Sequence, residues 1–423
     1  LLEARQNIDK VAVKLSKLGI YQRPISVYID KPDQSEPSST PTDLKVYYTA
    51  KEGNWYTIRT GTEAGTAEGS IYGNAQFRNL FGGAELLNIH AAKGTRTRSV
   101  YSASFDTPIL SNPDFRFEFG GLASSTLKPW ASHEEVLKGA FSKLKFVTEG
   151  GHQHELNYSG TWRQFTSLAS NASPTIRLEA GDSFKSSLAH TWINDQRDNP
   201  LLPSRGYLLK TIAELAGVGY LKGDVGFGKL ELESQAAIPI PIPGIKGESG
   251  VAINAGFRAG VLYPLTVGGT AAPVASRFSD RFQLGGPTDV RGFKMSGLGP
   301  HDGTDSVGGD MYAAGGVSLL VPLPRTGKDS PLRAQAFINA GRLLALKGKS
   351  KDREPLNNNS VKESVKRTYE ELKKDLPSAA AGVGLVYAHP MARFELNVAF
   401  PLVMRKDEQA RKGLQFGIGV TFM

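Results

Sequence analysis

A chain of 423 residues with a formal net charge of +9, 47 glycines and no cysteine has room for two or three soluble domains, or for one large barrel with an appendage. The missing cysteine excludes disulfide scaffolding and thiolate metal sites, and no run reaches the length of apolar sequence that a membrane helix needs. A β-barrel stays open, because its strand signals are individually weak. Lys and Arg are spread over expected loops without a groove-like concentration, so the charge suits anionic lipid or acidic partners and no nucleic-acid partner is expected.

Residues 1–52 differ from all that follows. Leu1, Ile8, Val11, Val13, Leu15 and Leu18 stand among charges at helical spacing, and Gly19 supplies a stop. Ile25–Ile29 and Leu44–Thr49 alternate as strands on either side of a Pro/Ser/Asp linker. This helix–strand–strand unit is short for an independent domain, and a chain that begins at Leu1 rather than Met is expected to lack some N-terminal sequence.

From Asn54 onward every suitable segment reads as a strand: 54–61, 67–77, 84–93, 98–106, 114–124, 137–147, 152–165, 184–195, 205–216, 226–237, 250–263, 309–321, 331–343, 378–388, 391–402 and 412–422. That makes sixteen, although 137–147 also scans as a helix. The last two are the most regular. Phe394, Leu396, Val398, Phe400 and Leu402 share one parity against Arg393, Glu395 and Asn397, and Leu414, Phe416, Ile418, Val420 and Phe422 oppose Gly413, Gln415, Gly417, Gly419 and Thr421. A bulky apolar face backed by glycines and amides fits a barrel in lipid around a wet lumen. Connections after even strands are mostly compact and those after odd strands include 125–136, 165–183, 263–308 and 344–377, the one-sided loop pattern of a membrane barrel. The N-terminal unit enters from the short-turn rim and is expected on that side of the membrane. Within 344–377, Lys347, Lys349, Lys351 and Arg353 precede Val361, Val365, Tyr369 and Leu372 at helical spacing, which predicts a solvated loop with an amphipathic helix or a docking site for a partner.

No enzyme constellation emerges, and no cofactor is expected. His152 and His154 lack a third ligand, Gly285-Gly286 is followed by Pro287 rather than a phosphate-binding lysine, and nothing resembles a nucleophile elbow. The informative stretch runs from Phe282 to Pro300, where Gly285 and Gly286 lead into Val290, Arg291, Gly292 and Phe293. Folding it into the lumen would hide Phe293 and give Arg291 an acidic partner, with Glu395 and Asp310 as candidates, whereas the plain alternative is a mobile surface loop. A seam is expected between strand one (Trp55, Thr57, Ile58, Arg59) and strand sixteen, which carries Gly413, Gly417 and Gly419 and so makes few side-chain contacts. Such an edge opens only if an incoming strand replaces the lost ladder.

The Val290–Phe293 run after a glycine pair, before the twelfth of sixteen strands, resembles the signature of the Omp85 superfamily. Asp198–Gly206, with Asn199-Pro200 and Pro203-Ser204-Arg205-Gly206, is similar to that family's turn between strands eight and nine. The first 52 residues resemble the latter part of a POTRA domain, followed by a sixteen-stranded transmembrane barrel over 53–423 with a lumenal loop at about 264–308 and the insertion 344–377. One such domain and a lysine-rich insertion look most like the mitochondrial branch of the family, that of the sorting and assembly machinery, with a fungal cast. The resemblance implies a barrel in the mitochondrial outer membrane, with the POTRA unit in the intermembrane space and the long loops towards the cytosol. It implies insertion of β-barrel precursors through a lateral gate between the first and last strands. The implied partners are those precursors, peripheral subunits on the cytosolic side and other outer-membrane barrels. Gln415, Gly417, Val420 and Phe422 are similar to the β-signal that such precursors carry. The alternatives are a protein-translocating relative and a bacterial assembly barrel; a passive pore would need neither the N-terminal unit nor the Arg291 loop.

Overall fold

A computed structural model of the chain describes residues 2–31, 44–65, 68–241, 249–267, 275–324, 327, 330–346, 358–390 and 392–419. The first eight strands of the main sheet are β1 (Tyr56–Gly65), β2 (Glu68–Arg78), β3 (Leu86–Gly94), β4 (Thr97–Ile109), β5 (Asn112–Lys128), β6 (His133–Val147), β7 (Gln153–Thr166) and β8 (Gly181–Asp195). The remaining eight are β9 (Gly206–Ala216), β10 (Phe227–Pro239), β11 (Ala252–Pro264), β12 (Met311–Pro322), β13 (Leu332–Leu344), β14 (Ser378–His389), β15 (Ala392–Val403) and β16 (Gly413–Gly419). Each is antiparallel to its neighbour in sequence, in unbroken up-and-down order from β1 to β16. The ambiguous stretch 137–147 lies in strand β6, which pairs along its length with β5 on one side and β7 on the other. Ladder pairing on both edges overrides local helical spacing.

The period of two separates the faces. On β13, Ile338 is 52% exposed on the outside, whereas its neighbour Asn339 is 1% exposed on the inside. The same holds on β15, where Leu396, Phe400 and Leu402 are exposed and Arg393, Glu395 and Asn397 are buried. Pro401, which cannot donate to a ladder, falls where the β14–β15 register slips between Ala379 and Ala380. The main apolar cluster lies inside the curl of the sheet rather than between layers: Phe282, Leu284, Val290, Phe293 and Leu298 from the connection after β11 pack on Phe227, Leu262, Tyr312 and Leu343. The curl brings β1 and β16 within 8 Å (Cα to Cα), yet no ladder joins them among the described residues.

If the outward face meets hydrocarbon, Val398→Arg should cost about 2–4 kcal/mol near the bilayer midplane. The lumenal comparison sits at Ser102 on β4, a partly exposed position of the parity opposite the outward Tyr101, and not at Asn397, which is buried and bonded to Glu395. Urea unfolding in lipid vesicles measures both, and equal losses at Val398 and Ser102 would contradict the face assignment.

The N-terminal helix α1 (Leu2–Lys17) precedes a hairpin of Ser26–Asp30 with Lys45–Thr49. Tyr48 donates to the Ile8 carbonyl at 3.2 Å, and Lys17 pairs with Asp114 at the start of β5, 2.7 Å away, on the short-turn rim. After the five-residue α2 (Pro174–Leu178), the third helix, α3 (Asn358–Lys374), occupies the insertion, whose basic lead at Lys347, Lys349, Lys351 and Arg353 lies outside the described residues. Val361 and Thr368 are buried on α3, but Tyr369 is 57% exposed and does not join the apolar stripe as expected. The face two turns long from Val361 to Thr368 packs inward instead, and Arg342 of β13 holds the helix's C-terminal end, donating to the Glu371 carbonyl and to Asp375 Oδ2 at 3.0 Å.

Candidate functional site: a loop clamped across the lumen

The connection between β11 and β12 turns inward at Gly285 and Gly286, whose φ angles of 105° and 137° suit glycine. Asp289 closes the turn by accepting from Gly285 N at 2.7 Å, and its carboxylate pairs with Arg258 of β11. Arg291 then enters the wall. Its Nε donates to Glu395 Oε2 at 2.9 Å and its Nη2 to Oε1 at 3.2 Å, with the pair 1% and 0% exposed. The guanidinium lies 4.8 Å from the centre of the Phe337 ring. Asn339, with its amide oxygen turned to the loop, accepts from Arg291 N at 2.8 Å.

Glu395 serves more than one cation. Arg393 Nη2 lies 2.5 Å from Oε1, while Gln335 Nε2 and Asn397 Nδ2 donate to Oε2 at 3.1 and 2.8 Å. Two buried guanidiniums thus share one carboxylate, and amides from β13 and β15 complete its shell, as a buried charge requires. Asp310, the other candidate, does not meet Arg291. It accepts from Ser276 Oγ at 2.5 Å and from Leu346 N at 2.9 Å, at the long-loop end of β12. The loop tip has passed that level and reached the far part of β15.

Beyond Arg291 the loop binds the entrance to the last strand. Gly292 N donates to Gln415 Oε1 at 2.9 Å, and Gln415 Nε2 returns to the Phe293 carbonyl at 3.3 Å. Backbone bonds join Lys294 N to Gln409 O (3.0 Å), Gln409 N to Gly297 O (2.8 Å) and Arg411 N to Gly292 O (2.8 Å). Gly292 has φ 88°, and a Cβ there would lie 2.6 Å from the Ala380 Cβ. Gly292→Ala should therefore lift the loop off β14 and destabilise the fold by about 1–3 kcal/mol. Accelerated proteolysis between β11 and β12 checks this, with Gly303→Ala as a control where a Cβ meets open space, though in the left-handed region too.

A second clamp holds the other end of the loop. Asp280 accepts from Arg163 Nη1 and Nη2 at 3.0 and 2.8 Å and from Lys185 Nζ at 3.2 Å, joining the loop to β7 and β8. Burial opposes the Asp280 charge, but the two cations outweigh it and hold the carboxyl below its ordinary value. Asp305 accepts from Ser132 Oγ at 2.6 Å and from Ser173 N at 2.7 Å, so the return limb is tied to two neighbouring connections. Sequence reasoning missed this clamp. Arg163 and Lys185 do share the inward face of adjacent strands, but nothing local says which acid crosses the lumen to meet them.

The seam residues are spread along two edges. Trp55 packs on Tyr56 and Phe77 at the short-turn end of β1, and Thr57 accepts from Arg78 Nη1 at 3.0 Å. Ile58 is exposed on the outer face, and Arg59 shares the inward parity of Thr57. On β16, Gly417 and Gly419 stand opposite Glu395 and Arg393, and Gly413 has φ 109°. Gln415 and Gly417 are inward, whereas Val420 and Phe422 lie outside the described residues. His154 meets His190 at 3.2 Å and stacks on Phe146, while His152 stacks on Trp192. No group of three metal-ligating side chains occurs among the described residues.

A sixteen-strand up-and-down sheet with an ion-clamped loop folded into its curl defines a class, the large outer-membrane-type barrel with an internal latch. The Omp85 superfamily domain model matches residues 79–422. A SAM50-like protein of Schizosaccharomyces pombe is 37% identical over 424 residues, covering 100% of this chain and 83% of that protein. The human sorting and assembly machinery component 50 homolog is 32% identical over 427 residues, covering 100% and 84%. The crystal structure of BamA from Haemophilus ducreyi lacking POTRA domains 1–3 matches in fold with a TM-score of 0.72 at 14% identity, over 97% of this chain and 78% of that one. The chain belongs to the Omp85 superfamily and, within it, to the sorting and assembly machinery component 50 family.

Proposed function

We propose that this protein inserts and folds β-barrel precursors in the mitochondrial outer membrane, and that the seam between β1 and β16 is its lateral gate. Family membership supports the activity. The observation that carries the gate is the asymmetry of β16: one edge pairs with β15 from Gly413 to Gly419, and the other has no ladder to β1 among the described residues. An unpaired edge in hydrocarbon costs several kcal/mol per group, so it is a template for an incoming strand. The latch holds the start of β16 through Gln415 and Gln409 and keeps that template in place. A loop folded into the lumen and ion-paired to strands on opposite parts of the sheet argues against a passive pore.

On this reading the helix and hairpin before β1 are the end of a POTRA domain in the intermembrane space, and the long loops, α3 among them, face the cytosol and its peripheral subunits. Precursors carrying a strand like Gln415–Phe422 are the substrates. The test is reconstitution. Proteoliposomes containing the chain should convert an unfolded barrel precursor to its protease-resistant, heat-modifiable form faster than empty liposomes. Equal rates in the two would remove the proposal.

A further inference from the structure

We propose that a cavity beside the seam is a binding site for the headgroup of an anionic phospholipid. A cavity of ≈ 510 Å³ lies between the latch, the entrance to β16 and the connections that follow β3 and β5. Three cations line it, Arg96, Lys294 and Arg411, and no acidic side chain does. Arg96 stands 5.1 Å from the centre of the Trp130 ring, which packs on the buried Ala131, Ile176 and Phe278 and so fixes the guanidinium at the cavity wall. Both Gln415, which faces the lumen, and Phe416, which faces outward, border the cavity. Lining residues from both faces place the cavity at the edge of β16, beside the outer face on which lipid would stand. Its volume exceeds that of a bare phosphate and suits a headgroup with its glycerol, with the acyl chains running down past Phe416.

The placement couples such a lipid to the seam. Lys294 and Arg411 belong to the segments that the latch and β16 share, through Lys294 N to Gln409 O and Arg411 N to Gly292 O. Arg96 comes from the turn between β3 and β4 on the other side of the seam. An anion held between them neutralises charges that otherwise repel across the gap and bridges the two sides where no backbone ladder does. The inference needs only that the chain stands in a bilayer, so its failure leaves the insertion proposal untouched.

The experiment titrates the full chain in neutral detergent with dioctanoyl phosphatidylserine, read by native mass spectrometry. The wild type should retain one molecule of it and not dioctanoyl phosphatidylcholine. Arg96→Gln with Arg411→Gln should weaken retention about thirtyfold for two lost cations, the paired Lys substitutions should restore it, and Lys222→Gln, in the connection after β9, should leave it unchanged. A photoreactive-headgroup analogue on the wild type should label Met295 or Phe416, which keeps the test valid if the double variant misfolds. Equal retention of the neutral lipid, unchanged binding in a folded double variant, or labelling elsewhere would overturn the site. Displacement by inorganic phosphate or by an acidic peptide at equal concentration would overturn the lipid assignment.

Discussion

Arg291→Ala should destabilise the folded barrel by about 3–5 kcal/mol, the cost of breaking a buried ion pair by removing one partner. The carboxylate left behind keeps Arg393, Gln335 and Asn397, which places the loss at the low end of that range. Glu395→Gln should cost more, because Arg291 and Arg393 would then face each other buried without an anion. A charge swap at 291 and 395 should not rescue, since Arg393 would meet a second cation beside it. The measurement is the urea midpoint in lipid vesicles together with protease access to the 282–300 segment. If Arg291→Ala and Glu395→Gln were both neutral, the latch would contribute nothing to stability. The insertion rate should fall with the same variants, because the latch also holds Gln415 and the start of β16.

A covalent lock across the seam should stop insertion while leaving the barrel folded. The chain has no native cysteine, so a disulfide can be placed cleanly. Side-chain parity dictates the choice: Ile58 faces outward and Gly417 inward, so that pair cannot bridge, whereas Thr57 with Gly417 or Gly419, or Ile58 with Phe416 or Ile418, share a face. Adjacent registers of each pair should be screened. Opening costs about 0.5–1.5 kcal/mol net per hydrogen bond in a wet gap and more where lipid reaches the edge; a disulfide raises that cost beyond what an incoming strand can offset. The oxidised variant should insert precursors no faster than empty liposomes and recover on reduction. Undiminished insertion with the crosslink complete would rule out the seam as the route.

Much of this architecture was legible because a barrel strand carries its own instructions. Alternation puts Leu396 and Phe400 outside and Glu395 and Asn397 inside whatever the rest of the chain does, so sixteen strands and their faces could be read locally, but the long connection expected at 125–136 shrinks to 129–132, because ladder pairing extends β5 to Lys128 and starts β6 at His133. The Gly-Gly turn and the isolated Arg291 also announced a buried charge, and parity on β15 named Glu395 among its candidate partners. Local pattern failed where the partner lies far along the chain. Asp310 has the right charge, but its position at the rim gives it to Ser276 and Leu346. Asp280 looks like any loop acid until the fold carries it to Arg163 and Lys185. Gln415 reads as one polar position in a terminal strand, and only the packed loop makes it the latch's anchor. Tyr369 follows the helical period and still faces solvent, because α3 turns the face of Val361 and Thr368 inward instead. The sequence by itself determined the strands and which way each side chain points, since those follow from backbone geometry over a few residues. Only the tertiary structure decided which buried charges meet across the lumen, because that depends on how far the sheet curls and how deep the loop reaches.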